Sequence, residues 1–141
     1  MIDPFATAAV ALYAGHHVGD YWVQTHHQAM HKGDAGRDGA LSCLLHVLSY
    51  TATQATFLLI TSLALTGTST LWPPGRPMLA LAISAVTHYL ADRREHGLMF
   101  RLARALPFKR GYLEAPGGAA FLDQAWHIVF GVFVPALVLG A

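Results

Sequence analysis

Four histidines and three aspartates recur in this chain at spacings that can do chemistry. His16 and Asp20, His88 and Asp92, and Asp123 and His127 are each four residues apart. On a helix, that spacing sets both members of a pair on one face. A fourth histidine, His46, stands in a further apolar stretch. Imidazole nitrogen and carboxylate oxygen together form a ligand set suited to Zn, Fe, Mn or Ni, and the core between facing helices is a usual place to assemble it. Seven such groups exceed the four positions of one tetrahedral zinc. Two arrangements stay open: a dinuclear centre, or one ion whose histidines are oriented by outer carboxylates. A divalent metal, zinc first among the choices, is expected at one or two ions per chain.

The elements that must carry these residues are apolar. Of 141 residues, 54% are hydrophobic and 12% charged, about half the charged share of an ordinary soluble domain. Runs near 4–25, 40–66, 77–96 and 119–140 approach or exceed the roughly 20 residues that cross a bilayer. They predict a single all-α domain over 1–141, an integral membrane four-helix bundle. Lys32, Arg37, Arg93, Arg94, Arg101, Arg104, Lys109 and Arg110 fall in the first and third connections, against Arg76 alone in the second. That asymmetry sets the two basic connections in the cytoplasm and both termini outside, in the periplasm. No basic leader precedes a cleavage site, so the first span is expected to stay. Residues 97–111 mix leucines with arginines at helical spacing and predict a basic amphipathic segment on the membrane surface between the third and fourth spans.

This topology makes the polar residues agree in depth. Spans one and three run inward and read His then Asp, whereas span four runs outward and reads Asp then His. At about 1.5 Å per residue, His16, His46, His88 and His127 each lie roughly 9–14 Å below the cytoplasmic helix ends. Ionisable groups at such depth are functional candidates by default. No Lys or Arg lies deep in any span, so the three carboxylates are expected to need protonation, histidinium or a bound cation. His26, His27 and His31 follow the first span among polar residues and are expected to be solvated. His17 points about 100° away from His16 and is assigned to packing. Trp22, Trp72 and Trp126 fall near span ends, as in an aromatic belt.

Other chemistries are excluded. Net charge of +1 gives no basic excess for nucleic acid, and one cysteine makes neither an internal disulfide nor a thiolate zinc site. There is no HExxH, GxSxG or SxxK motif.

The motifs His16-His17-Val18-Gly19-Asp20-Tyr21-Trp22-Val23-Gln24-Thr25, Leu44-Leu45-His46, His88-Tyr89-Leu90-Ala91-Asp92 and Leu122-Asp123-Gln124-Ala125-Trp126-His127 resemble those of domain-of-unknown-function family 3307. Its members are small polytopic membrane proteins of bacteria and phages. The resemblance spans nearly the whole chain and implies a multi-pass protein of the bacterial inner membrane, but supplies no substrate. A looser likeness to predicted membrane-bound metal-dependent hydrolases raises the prospect of an enzyme. The leading expectation is therefore a hydrolase of a lipid-like or amphiphilic substrate in the bilayer. Asp20 or Asp92 would act as base, and Gln24, Arg93, Arg101 and Arg104 would meet the substrate. The alternatives are a non-catalytic protein handling metal ions or protons, and a b-type haem protein.

Overall fold

The computed structural model describes residues 2–141, and among them the chain is helical with no strand. Helix α1 (Pro4–Val18) starts where Asp3 accepts the Ala6 N–H at 2.9 Å, with Pro4 in the first turn. It continues into a π-helical turn, Gly19–Val23. A capping box between Thr25 and Gln28 opens the short α2 (His26–His31). Helix α3 (Gly36–Thr66) runs for 31 residues and stops at Gly67, whose φ of 71° suits glycine. Helix α4 (Arg76–Asp92) has Pro77 in its first turn, and the 3₁₀ turn Arg94–His96 follows it. Beyond lie α5 (Leu98–Ala105) and α6 (Pro107–Glu114), separated by the extended Leu106. The last helix is continuous from Gly118 to Gly140: α7 (Gly118–Trp126), a π-helical segment (His127–Phe133) and α8 (Val134–Gly140).

Helix α1 packs on α3 and α8, and α4 packs on the same two. Two glycines let α1 approach α3. A Cβ on Gly15 would lie 3.0 Å from Gln54 Cα, and one on Gly19 would lie 2.9 Å from Tyr50 Cδ2. Residues Gly15-His16-His17-Val18-Gly19 are thus a small-xxx-small contact that also carries a site histidine. At the end remote from the histidines, Ala8, Ala11, Leu12, Leu58, Ala80, Val132, Ala136 and Leu139 close an apolar core. Trp72 joins that core, donating Nε1–H to the Pro4 carbonyl at 3.2 Å. The expected belt position is corrected for this residue, because the loop after α3 folds its indole inward. Trp126 also bonds inward, to the Thr87 carbonyl at 2.9 Å.

Helices Gly36–Thr66 and Gly118–Gly140, of 31 and 23 residues, are long and apolar enough to cross a membrane. Helices α1 and α4, where the first and third spans were expected, run 15 and 17 residues. The third stops at Asp92 rather than 96, because Arg94 takes a φ of 47° that an α-helix cannot include. Polarity is inverted along α3. Leu41, Leu44, Leu45, Leu48, Ile60 and Leu63 are exposed, whereas Ser42, His46, Gln54 and Ser62 are buried.

Candidate metal centre

The inner ends of the packed helices bring the paired residues together. His46 comes from α3, His88 and Asp92 from consecutive turns of α4, and Asp20 from the π turn that prolongs α1. The Nε2 atoms of His46 and His88 are 2.9 Å apart. Asp20 Oδ1 lies 3.1 Å from His46 Nε2 and 3.4 Å from His88 Nε2. Asp92 Oδ2 lies 3.0 Å and 2.9 Å from the same two nitrogens. Four ligand atoms at bond lengths near 2.0–2.1 Å round a tetrahedral ion would stand about 3.3 Å apart, so these separations are of the right size. Asp20 Oδ1 and Asp92 Oδ2 are buried and accept no well-formed hydrogen bond. Such atoms are costly to leave bare, and a cation among the four would satisfy them.

A second group adjoins the first and shares Asp92 with it: Asp92, Asp123 and His127. His127 Nδ1 is 2.7 Å from the Asp123 carbonyl oxygen. A carbonyl only accepts, so Nδ1 carries the proton and Nε2 of the neutral ring is bare. That Nε2 is buried without a hydrogen-bond partner, 3.9 Å from Asp92 Oδ1. Asp123 Oδ2 is 3.5 Å from His127 Nδ1. His16 stands behind Asp20, with Nδ1 3.4 Å from Asp20 Oδ2 and Nε2 3.2 Å from Gln124 Oε1. Its ring stacks on His127 at 5.6 Å between centroids. All seven predicted residues therefore meet at one locus. Six belong to the two groups able to hold a metal ion, and His16 lies outside both.

One expectation is corrected here. Asp92 does have a basic partner, because Lys32 Nζ sits 2.8 Å from its Oδ1, with side-chain exposures of 12% and 3%. The short α2 packs on α3, and the turn after it returns Lys32 to the site. Arg93 holds that turn, its Nη1–H donating to the Lys32 carbonyl at 2.8 Å. Spacing along the chain carries no sign of this return, and Lys32 reads there as one more surface charge.

The carboxylates face a cleft of about 500 Å³. Its lining includes the carboxylates Asp20, Asp92 and Asp123, the basic side chains of Lys32 and Arg94, and the apolar Phe100, Ala119 and Ala120. Gln24, expected to meet a substrate, lines the cleft with a buried, unpartnered Nε2. The three arginines expected there do not. Arg93 is buried against the Lys32 carbonyl, Arg101 donates to the His96 carbonyl, and Arg104 pairs with Glu95 at 2.8 Å on the surface. Their local partners turn them away from the cleft, which takes Arg94 instead.

Two residues missed by the spacing argument pack beneath the centre. The Tyr50 ring lies 3.8 Å from that of His88, and Gln54 Nε2 donates to Tyr50 Oη at 2.9 Å. Pro135 has no N–H with which to close an α-helical bond to the Gly131 carbonyl. That carbonyl accepts instead from Gln54 Nε2 at 3.1 Å and Ser84 Oγ at 3.0 Å. His26 and His27 are exposed, and His31 pairs at the surface with Asp34 at 2.7 Å. His17 stacks on Tyr13 at 4.4 Å.

The chain is thus an all-helical protein with buried His/Asp groups able to hold a metal ion. No family model, curated protein or solved structure matches it.

Proposed function

We propose that the chain is a metal-dependent hydrolase of an amphiphilic substrate, built as a four-helix membrane bundle of the bacterial inner membrane with both termini outside. The observation that carries the reading is the convergence of four ligand atoms, from Asp20, His46, His88 and Asp92, beside an open cleft. Bilayer residence is supported by the inverted polarity of α3 and by the clustering of basic residues in two connections. Membership of the family of unknown function whose motifs the chain resembles belongs to the same proposal.

The first group is the better cation site, because in the second the Asp92 Oδ1 is already taken by the Lys32 ammonium. Three carboxylates against that one ammonium leave two negative charges among the contacting side chains, which one divalent ion cancels. Zinc suits the N₂O₂ donor set. An ion held by these four atoms would need a fifth position, open to the cleft, to take up a water and lower its pKa toward about 7. The chain's own residues do the rest. His46 and His88 hold the site, Lys32 fixes the free oxygen of Asp92, and Gln24 orients the headgroup. Asp123 is the carboxylate that stands clear of both ligating imidazoles and lines the cleft, with 26% of its side chain exposed. It takes the role of base that spacing alone gave to Asp20 or Asp92, since both of those are occupied as ligands.

The competing readings fit less well. Two imidazoles on one haem iron stand about 4 Å apart, twice a metal–nitrogen bond, whereas His46 and His88 Nε2 are 2.9 Å apart with carboxylates around them. An ion or proton path would have to cross the apolar core formed by Leu12, Leu58, Val132 and Leu139.

Metal content by mass spectrometry, with thermal unfolding in detergent with and without chelator, tests the reading. One divalent ion per chain and a lower Tm in chelator are expected. A protein that carries no metal, takes none up and melts identically in chelator overturns it.

A further inference from the structure

The cleft is lined by two basic side chains, Lys32 and Arg94, and metal binding alone does not explain Arg94, which pairs with no carboxylate among the described residues. We propose that Lys32 and Arg94 form a seat for a phosphate group beside the metal position, so that the substrate is an amphiphile with a phosphate-monoester headgroup. This inference rests on the metal reading given above.

Both residues line the cleft together with the three carboxylates. Lys32 is nearly buried and uses one N–H on Asp92, leaving two further donors. Arg94 is the one described non-glycine residue at positive φ, 47°, a conformation that costs an L-residue stability and persists only where its surroundings impose it. Its side chain lies on Gly33, where a Cβ would come within 2.6 Å of Arg94 Cδ. One guanidinium N–H donates to the Ala29 carbonyl at 2.9 Å. Backbone strain, a glycine without a side chain and a carbonyl anchor together hold this arginine at the cleft with most of its donor fork free.

A neutral ester would leave the Arg94 guanidinium without an anionic partner and two donors of Lys32 unused. A carboxylate has two oxygens to share among an ion, an ammonium and a guanidinium. A phosphate monoester has three free oxygens, one for each, and Arg and Lys are the side chains that recognise it. Phe100, Ala119 and Ala120 supply the apolar side along which an acyl or prenyl chain can leave. Leu98, Leu102 and Phe108 are exposed on α5 and α6 beside it, as at a membrane surface. In the reaction, a water oxygen bonds to phosphorus as the P–O bond to the alcohol breaks. One water proton passes to Asp123, the other stays on the new phosphate oxygen, and the leaving alcohol oxygen takes its proton from water in the cleft, to which Asp123 then returns the one it holds, with no change of oxidation state.

Cobalt(II) substituted into the full-length protein reports on both steps. Uptake of Co²⁺ is measured first, and its visible bands are then titrated with inorganic phosphate in detergent. In parallel, they are recorded, in buffer without inorganic phosphate, in nanodiscs of phosphatidylcholine alone, whose headgroup is a diester, or with phosphatidic acid, a monoester. A saturable shift with inorganic phosphate and with phosphatidic acid, and none with phosphatidylcholine alone, is expected. A shift with free phosphate only would retain the seat but overturn the lipid substrate. Arg94→Gly is the discriminating variant, since it relieves the positive φ: Tm should hold or rise while phosphate binding weakens at least about tenfold. Arg94→Lys should recover part of the affinity. Cobalt-loaded protein indifferent to every phosphate, or Arg94→Gly binding phosphate as wild type does, would sink the seat alone. Failure to take up cobalt would remove the metal reading and the seat with it.

Discussion

Asp92 is the residue on which the centre turns. Its Oδ2 is within 3.0 Å of both His46 and His88 Nε2, and its Oδ1 is 2.8 Å from Lys32 Nζ. Asp92→Asn keeps the shape but removes the charge that binds the ion and pairs the ammonium. Loss of an outer partner alone costs about 10–100-fold in metal affinity, so loss of this ligand should exceed that, read as metal retained after dialysis. Asp123→Asn separates binding from chemistry. It should keep its metal within about twofold while hydrolysis falls by roughly 10²–10⁴, the usual contribution of a general base. Parallel loss of metal and activity would return Asp123 to the ligand set. Three of the site's pairs were legible in the sequence because i,i+4 spacing on a helix fixes a shared face. Lys32 and Arg94 were not, since they arrive by way of a turn and a strained 3₁₀ junction, which leave no periodic trace.

At the scale of elements, the site depends on how closely α1 lies on α3. Gly15 and Gly19 meet the backbone and ring of Gln54 and Tyr50, and the same turns of α1 carry His16 and Asp20. Gly19→Val should force the helices apart, costing about 1–3 kcal/mol and displacing Asp20 from His46. A lowered Tm together with weakened metal retention is the expected result, and unchanged retention would show that α1 can shift without moving Asp20. The small-xxx-small signal was present in the sequence as glycines four apart, but the histidines between them drew the reading toward chemistry. Pro135 is a second case. It lies in the first turn of α8, just after the π segment, and its missing N–H releases the Gly131 carbonyl to Gln54 and Ser84. Gln54→Leu should therefore destabilise the protein by about 1–3 kcal/mol for each partner left unsatisfied. The π segments themselves, Gly19–Val23 and His127–Phe133, leave no mark on hydropathy patterning, although they position Asp20 and His127.

The molecule as a whole is polar inside one end and apolar outside, and its basic residues crowd the polar end. Lys32 and Arg94 line the cleft, and Arg101 and Arg104 lie on α5. Arg76 sits at the far end of α4 from Asp92, next to the loop that follows α3. Lys and Arg are retained on the cytoplasmic side of a bilayer, so the cleft should open to the cytoplasm and the loop after α3 should face outside. Single-cysteine scanning tests this cleanly, because the native Cys43 is fully buried and should stay silent. Ser69 lies in the exposed loop after α3, Ala141 follows α8, and Arg104 is exposed on α5. In intact cells, Ser69→Cys and Ala141→Cys should react with a membrane-impermeant maleimide, whereas Arg104→Cys should react only after permeabilisation. Reaction of Arg104→Cys in intact cells, with protection of Ser69→Cys, would invert the molecule and turn the metal cleft to the periplasm. Equal reaction of all three in the soluble fraction would mean that the leucine-rich face of α3 is covered by protein, and the bilayer reading would be lost.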